Sequence, residues 1–175
     1  MKNIIFIISI FLGSSMMSAQ EKVKSIFDIA RSGTVAEVKD LMKQDPDIIN
    51  KTNESGFSPL ILACYRGNTE VAEFLMDTVK DIDYNSSMGT ALMAAVFKGD
   101  IKLAQELLDH KSDINTIDSQ GTTPLIFASK LGNTEMVKLL VKYKANKTVK
   151  DKQGNTAFEY AVLSKNPELI NQLKN

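Results

Sequence analysis

Apolar positions in residues 121–140, GTTPLIFASKLGNTEMVKLL, fall into two short helical runs separated by Gly132-Asn133. Thr123 can accept a hydrogen bond from a free amide at a helix start, and Pro124 brings the fixed φ that suits the first helical position, so the first run predicts a helix opening there. Gly132 is placed to stop that helix in a left-handed conformation, and Asn133 with Thr134 can cap a second one ahead of Glu135. Helices shorter than about 12 residues are marginal in water. The pattern therefore predicts a helical hairpin that must lean on something beside it.

Copies of the same pattern supply the neighbours. Thr123-Pro124-Leu125 is echoed by Ser58-Pro59-Leu60, Thr90-Ala91-Leu92 and Thr156-Ala157-Phe158, so the helix starts fall at 58, 90, 123 and 156, in steps of 32, 33 and 33. The break glycine recurs as Gly33, Gly67, Gly99 and Gly132, and its fifth copy falls on Lys165. A small residue recurs inside the first helix as Ala30, Ala63, Ala95, Ala128 and Ala161. Five places after each break stands an apolar or small residue (Val38, Ala72, Ala104, Val137, Ile170), and eight places after it a leucine (Leu41, Leu75, Leu107, Leu140, Leu173). Registers that keep step through single-residue insertions make the period structural.

These motifs resemble the ankyrin-repeat family, whose pattern is a turn with Gly, then Thr-Pro-Leu-His, two alanines, Gly and an apolar second helix. Residues 118–150 match best, 53–85 next, and the resemblance covers roughly residues 22–175. It implies an all-α solenoid of about five helix-turn-helix units with short β-hairpin or turn fingers. The units are 22–52 as N-terminal cap, 53–84, 85–117, 118–150, and 151–175 as C-terminal cap. The family's His is Ile61, Met93, Ile126 and Glu159 here, so hydrogen bonds it would make between repeats are missing or replaced by apolar contacts. The family's Gly-Ala-Asp-Val-Asn ending survives in part as KSDIN (111–115) and KANKT (144–148). A 34-residue tetratricopeptide array is the structural rival, and the hydroxyl-Pro-Leu starts argue against it.

Between hairpins lie NESG (53–56), DSQG (118–121) and DKQG (151–154), with Asp or Asn first and Gly fourth, the preference of a type I turn. The resemblance makes these the tips of fingers projecting from the stack. In NSSM (85–88) the glycine position holds Met88, with Gly89 one place later, so that finger is expected to be distorted. The first unit alternates apolar with charged residues and the last ends in polar ones, which reads as two caps and a complete array.

Composition narrows the function. The chain of 175 residues is 43% hydrophobic and 24% charged, which suits one domain with a sizeable core, residues 20–175. Basic and acidic residues both number 21, so no global field recruits nucleic acid or anionic lipid. The opening MKNIIFIISIFLGSSMMSAQ has Lys2, an apolar core from Ile4 to Leu12 and a small-residue tail, the shape of a secretory signal over residues 1–19 with cleavage after Ala19. That core is too short for a comfortable membrane span, which needs about 20 residues. An uncleaved anchor or a buried N-terminal helix are the other readings, and export to the periplasm or medium of a bacterium is the expectation.

Candidate chemistry is sparse. Cys64 is the sole cysteine and excludes an internal disulfide. It replaces a buried alanine and reads as a small core residue. His110, the sole histidine, falls at the end of a second helix more than one repeat away, out of reach of a nucleophile–base pair. One His and one Cys cannot ligate zinc. Asp81, Asp83, Asp113 and Asp118 match turn and repeat-ending positions. The glycines are spaced by repeats and form no phosphate loop. No enzyme, cofactor or metal site is expected.

What remains is a surface. In ankyrin-repeat proteins the finger tips and exposed first-helix ends, on the concave side, usually carry partner contacts. Here the residues just before each break glycine are Tyr65-Arg66, Phe97-Lys98 and Lys130-Leu131, and Phe57 follows a finger-tip glycine. Tyr, Phe and Arg are enriched at interface cores. The expectation is an apolar stripe of Phe57, Tyr65, Phe97 and Leu131 with a basic edge of Arg66, Lys98 and Lys130, on a monomer that binds a protein. The competing reading has the rings packing between fingers to stiffen the stack. Three roles stay open: adaptor for an envelope or secreted partner, inhibitor or immunity protein of a toxin or enzyme, and secreted effector acting on host proteins.

Overall fold

Ser58, Thr90, Thr123 and Thr156 each accept a hydrogen bond on the side-chain oxygen from the amide three residues on, at 3.2–3.4 Å. These caps open the first helices of four of five hairpins in the computed structural model, which describes residues 24–174. The expected leader, and its cleavage after Ala19, lie outside the described residues. The hairpins are α1 (Ile26–Ser32) with α2 (Val35–Gln44), α3 (Pro59–Arg66) with α4 (Thr69–Thr78), and α5 (Ala91–Lys98) with α6 (Ile101–Asp109). They continue as α7 (Pro124–Lys130) with α8 (Thr134–Lys142) and α9 (Ala157–Leu163) with α10 (Pro167–Leu173). First helices pack on first helices, and second helices form the other layer.

Small side chains let the first helices approach closely. Ala30, Ala63, Ala95, Ala128 and Ala161 are all fully buried, and Cys64 is sealed in beside Ala63. In the second layer Leu75, Leu107 and Leu140 are fully buried, whereas Leu41 is only partly so. Leu41 belongs to the first unit, which has a described neighbour on one side only.

The five first-helix ends show why the break residues differ. Gly67, Gly99 and Gly132 are left-handed, with φ of 72°, 69° and 69°. Gly33 was expected to do the same, but its φ is −95°: a Cβ there would lie 2.7 Å from Ile29 Cγ2 and 2.8 Å from the Ile29 Cα, so close approach is what demands glycine. At the fifth copy Lys165 takes up the left-handed conformation itself, with φ 53°.

Lys111 and Lys144, in the partial KSDIN and KANKT endings, are left-handed too, with φ of 68° and 65°. The amides after them close back onto Leu107 O and Leu140 O at 3.0 Å, as after a glycine-ended helix. A side chain in that region is strained by about 1–2 kcal/mol, and glycine offsets part of this gain through its looser unfolded chain. Lys111→Gly and Lys144→Gly are each expected to raise unfolding stability by about 0.5 kcal/mol, read from the midpoint of urea denaturation.

The fingers are turns, with no strand among the described residues. Gly56, Gly121 and Gly154 donate their amides to Asn53 O, Asp118 O and Asp151 O at 2.8–3.0 Å. In each, the Asx side chain also accepts from backbone amides two and four residues on. The second finger slips by one residue. Ser86 takes the Asx role, accepting from Met88 N at 3.2 Å, and Gly89 N closes onto Ser86 O at 3.0 Å. One residue separates tip glycine from helix cap in the other fingers, whereas Gly89 touches Thr90 directly.

Ile61, Met93 and Ile126, at the family's His position, are buried. Repeat-to-repeat hydrogen bonds come instead from Asn50, Asp83 and Asn115, whose side chains accept the amides of Lys80, Asp113 and Asn146 at 2.8–2.9 Å. Each reaches one repeat onward. Asp83 also accepts from Ser112 Oγ at 2.6 Å.

Candidate binding face

The last turn of each first helix and the fingers share one side of the stack. Counting seven residues on from each cap gives Tyr65, Phe97, Lys130 and Leu163, one lane along that side. Tyr65 and Phe97 remain 42% and 47% exposed, yet their rings stack, with centroids 5.4 Å apart and planes 13° from parallel. Phe127 continues the row, 6.0 Å from Phe97 and inclined by 19°. Stacked rings hold one another rigid, so little side-chain entropy would be lost when something covers them.

Beside this row lies a groove of about 410 Å³. Phe57 and Met88 flank it from the first and second fingers, Ile61 and Met93 line it from the helices, and Arg31 and Arg66 stand around it. Phe57 is partly buried and pinned to Asn53, its N–H donating to Asn53 Oδ1 at 2.9 Å and its carbonyl accepting the Asn53 amide at 3.0 Å. Arg66 is exposed, while Arg31 pairs with Asp28 at 3.3 Å. Lys98 is exposed at the end of α5, and Leu131, 46% exposed, closes α7.

Lys130 does not share their setting. Its ammonium lies 2.9 Å from Asp151 Oδ2 and 4.6 Å from the centre of the Tyr160 ring, and its side chain is 28% exposed. It ties the third and fourth fingers together more than it edges the stripe. Phe127 and Leu163 are the residues that sequence reasoning passed over. Phe127 sits one turn before Lys130, and residues three apart share a helix face, so its ring reaches the lane from a different register. Leu163, 69% exposed, stands two places before Lys165, a register already visible in the sequence.

Chemistry-bearing residues lie apart from one another. Burial pushes the Cys64 thiol well above its usual pKa, the opposite of an activated nucleophile. His110 Nδ1 is 2.8 Å from Glu106 O and Nε2 is 3.0 Å from Asp77 Oδ1. The Glu106 carbonyl first, and the Asp77 carboxylate second, raise its pKa. Asp118 and Asp113 bond back to nearby amides, and Asp81 accepts from Asp83 N. No helix among the described residues is long and apolar enough to cross a membrane.

Among curated proteins the chain is similar to the NAD-capped RNA hydrolase NUDT12 of Macaca fascicularis, Pongo abelii and Homo sapiens, at 32% identity over 74 residues in each. That stretch is 42% of this chain and spans only 16% of those relatives' length. The similarity is therefore local, and the hydrolase activity is named for those proteins. A family model described as ankyrin repeats in three copies matches residues 26–118 and again residues 92–175. With two overlapping matches laid over five hairpins in register, the chain belongs to the ankyrin-repeat family.

Proposed function

We propose that this protein is a non-catalytic module that seats an envelope or secreted protein on its concave face, at the row of Tyr65, Phe97 and Phe127. Ankyrin repeats are protein–protein interaction modules, and a fold alone selects no partner. The observation that carries the reading is the stacked, half-exposed ring row next to a 410 Å³ groove. Large apolar side chains held rigid in the open are characteristic of interface anchors. The secretory shape of residues 1–19 supports a partner outside the cytoplasm.

The test is affinity purification from the protein's own organism with the wild type and a Tyr65→Ser/Phe97→Ser variant. The wild type is expected to retain a specific envelope or secreted protein. The double variant is expected to bind that partner roughly thirtyfold more weakly, about 2 kcal/mol. Its unfolding midpoint should move little, because both rings are already half in water. Unchanged retention together with a lowered midpoint would show that the rings only stiffen the stack. A one-to-one complex with a toxin or enzyme would make the module an inhibitor.

A further inference from the structure

The groove beside the ring row is electrostatically one-sided. Its lining carries Arg66 and Arg31, the latter shared with Asp28 at 3.3 Å outside the lining, and neither aspartate nor glutamate, while Lys98 follows Phe97 at the helix end. The Arg66 and Lys98 side chains are exposed and make no hydrogen bond or ion pair with the described residues. Glu54, on the tip of the first finger, is not part of the lining. Basic residues near helix C-termini also favour the helix dipole. That effect accounts for their sign, but not for the absence of carboxylates from the groove they border.

The slipped second finger bears on the groove's shape. In the first finger the residue between tip glycine and cap is Phe57, and in the second that residue is missing. Met88 is largely exposed at the groove's edge, and the residue next to the cap, where Phe57 stands in the first finger, is Gly89, without a side chain. The remaining space is about 410 Å³, near the low end of the roughly 300–1,000 Å³ of ligand pockets. It suits one bulky side chain with its backbone and is too small to seat a broad domain surface.

Resting on the binding function proposed above, we infer that the groove takes an acidic peptide segment of the partner protein. One bulky apolar side chain enters beside Phe57, Met93 and Phe97, and flanking carboxylates meet Arg66 and Arg31. The apolar anchor supplies most of the affinity. The charges supply sign selectivity and make binding weaken with salt.

Fluorescence anisotropy with the full chain tests this, using a labelled glycine-serine peptide that carries one central phenylalanine between aspartates. Two controls replace the phenylalanine by alanine or the aspartates by lysines. The acidic phenylalanine peptide is expected to bind about tenfold tighter than the lysine peptide, as two or three exposed charge pairs allow. Alanine in place of phenylalanine should remove most binding. Arg66→Glu, at an exposed position that leaves the fold intact, should erase or reverse the preference for acid, and added salt should shrink it.

Equal binding of the acidic and lysine peptides, or a preference untouched by Arg66→Glu, overturns the inference. So does the absence of binding by all three peptides up to millimolar concentration. In either case retention of a native partner that depends on Tyr65 and Phe97 would leave the broader binding function standing. Acid-selective binding without such retention would sink that function and keep the groove chemistry.

Discussion

Leu107→Asp is expected to unfold more than the repeat that carries it. Leu107 is fully buried on α6, which packs against α5 and between α4 and α8. An aspartate there has no cation or donor designed to meet it, and an unpaired charge in a dry core costs about 4–5 kcal/mol or more. Whole domains are held together by only about 5–15 kcal/mol. In a stacked array each unit is stabilised mainly by its neighbours, so loss of the third hairpin also withdraws support from α3–α4 and α7–α8. Circular dichroism during urea titration should show the helical signal falling at much lower denaturant, and amide exchange should lose protection on both sides of α6. Leu107→Ala is the milder comparison, at about 2–5 kcal/mol. Two halves that melt separately, each with native protection up to the mutated hairpin, would contradict the nearest-neighbour picture.

Asp151→Ala should cost about 3 kcal/mol, the largest effect expected from a polar residue here. The Asp151 side chain is 1% exposed. Its Oδ1 accepts the amides of Gln153 and Asn155 at 3.0 and 3.1 Å, and its Oδ2 accepts Tyr160 OH at 2.7 Å and Lys130 Nζ at 2.9 Å. Burial alone would raise its pKa. The bonds from Tyr160, Lys130 and the two amides outweigh it and hold the carboxyl down to about 2. A depressed carboxylate adds stability that is fully present above its unfolded pKa, near 4. That part is lost as pH falls from about 4 through 2, so the wild type should weaken in this window more than Asp151→Asn does.

Alanine takes the carboxylate from the Lys130 ammonium, leaves the Tyr160 hydroxyl with Gln153 Oε1 alone as acceptor, at 2.9 Å, and removes the turn's side-chain bonds at once. Pairing Asp151→Ala with Lys130→Met should recover part of the loss, since the double change removes the stranded charge as well. Strictly additive costs would mean that Lys130 and Asp151 do not depend on each other. Urea midpoints of the four proteins decide the matter.

The repeats were legible because the signals for helix start, stop and burial are local. A hydroxyl at Thr123, a proline behind it and a glycine at 132 act within a few residues, and repetition at a fixed spacing multiplied a weak signal. The same spacing placed Tyr65 and Phe97 on one lane. It also placed Lys130 there, and here register was insufficient. A lysine stem is long enough to turn toward a buried carboxylate 21 residues later, and nothing near residue 130 in the sequence announces Asp151. Phe127 was hidden for the converse reason, since a large ring one turn earlier can reach the space that its shorter equivalents Leu62 and Ala94 leave open. The slipped second finger was visible as a missing residue before Thr90. Its consequence, an open groove, depends on what the neighbouring finger presents.

The three lysines held at left-handed dihedrals, Lys111, Lys144 and Lys165, all lie past the middle of the chain. Each is a joint closed under tension where glycine would be relaxed. Thermal fraying of such a stack would begin in these later hairpins and travel toward the earlier ones, like a zipper with its loose teeth on one side. Lys111 ends the unit that carries Gly89 and Phe97, and Lys144 ends the unit that carries Phe127. Grip and wear thus meet in the same hairpins, and a partner seated on the ring row would brace two of the three strained joints.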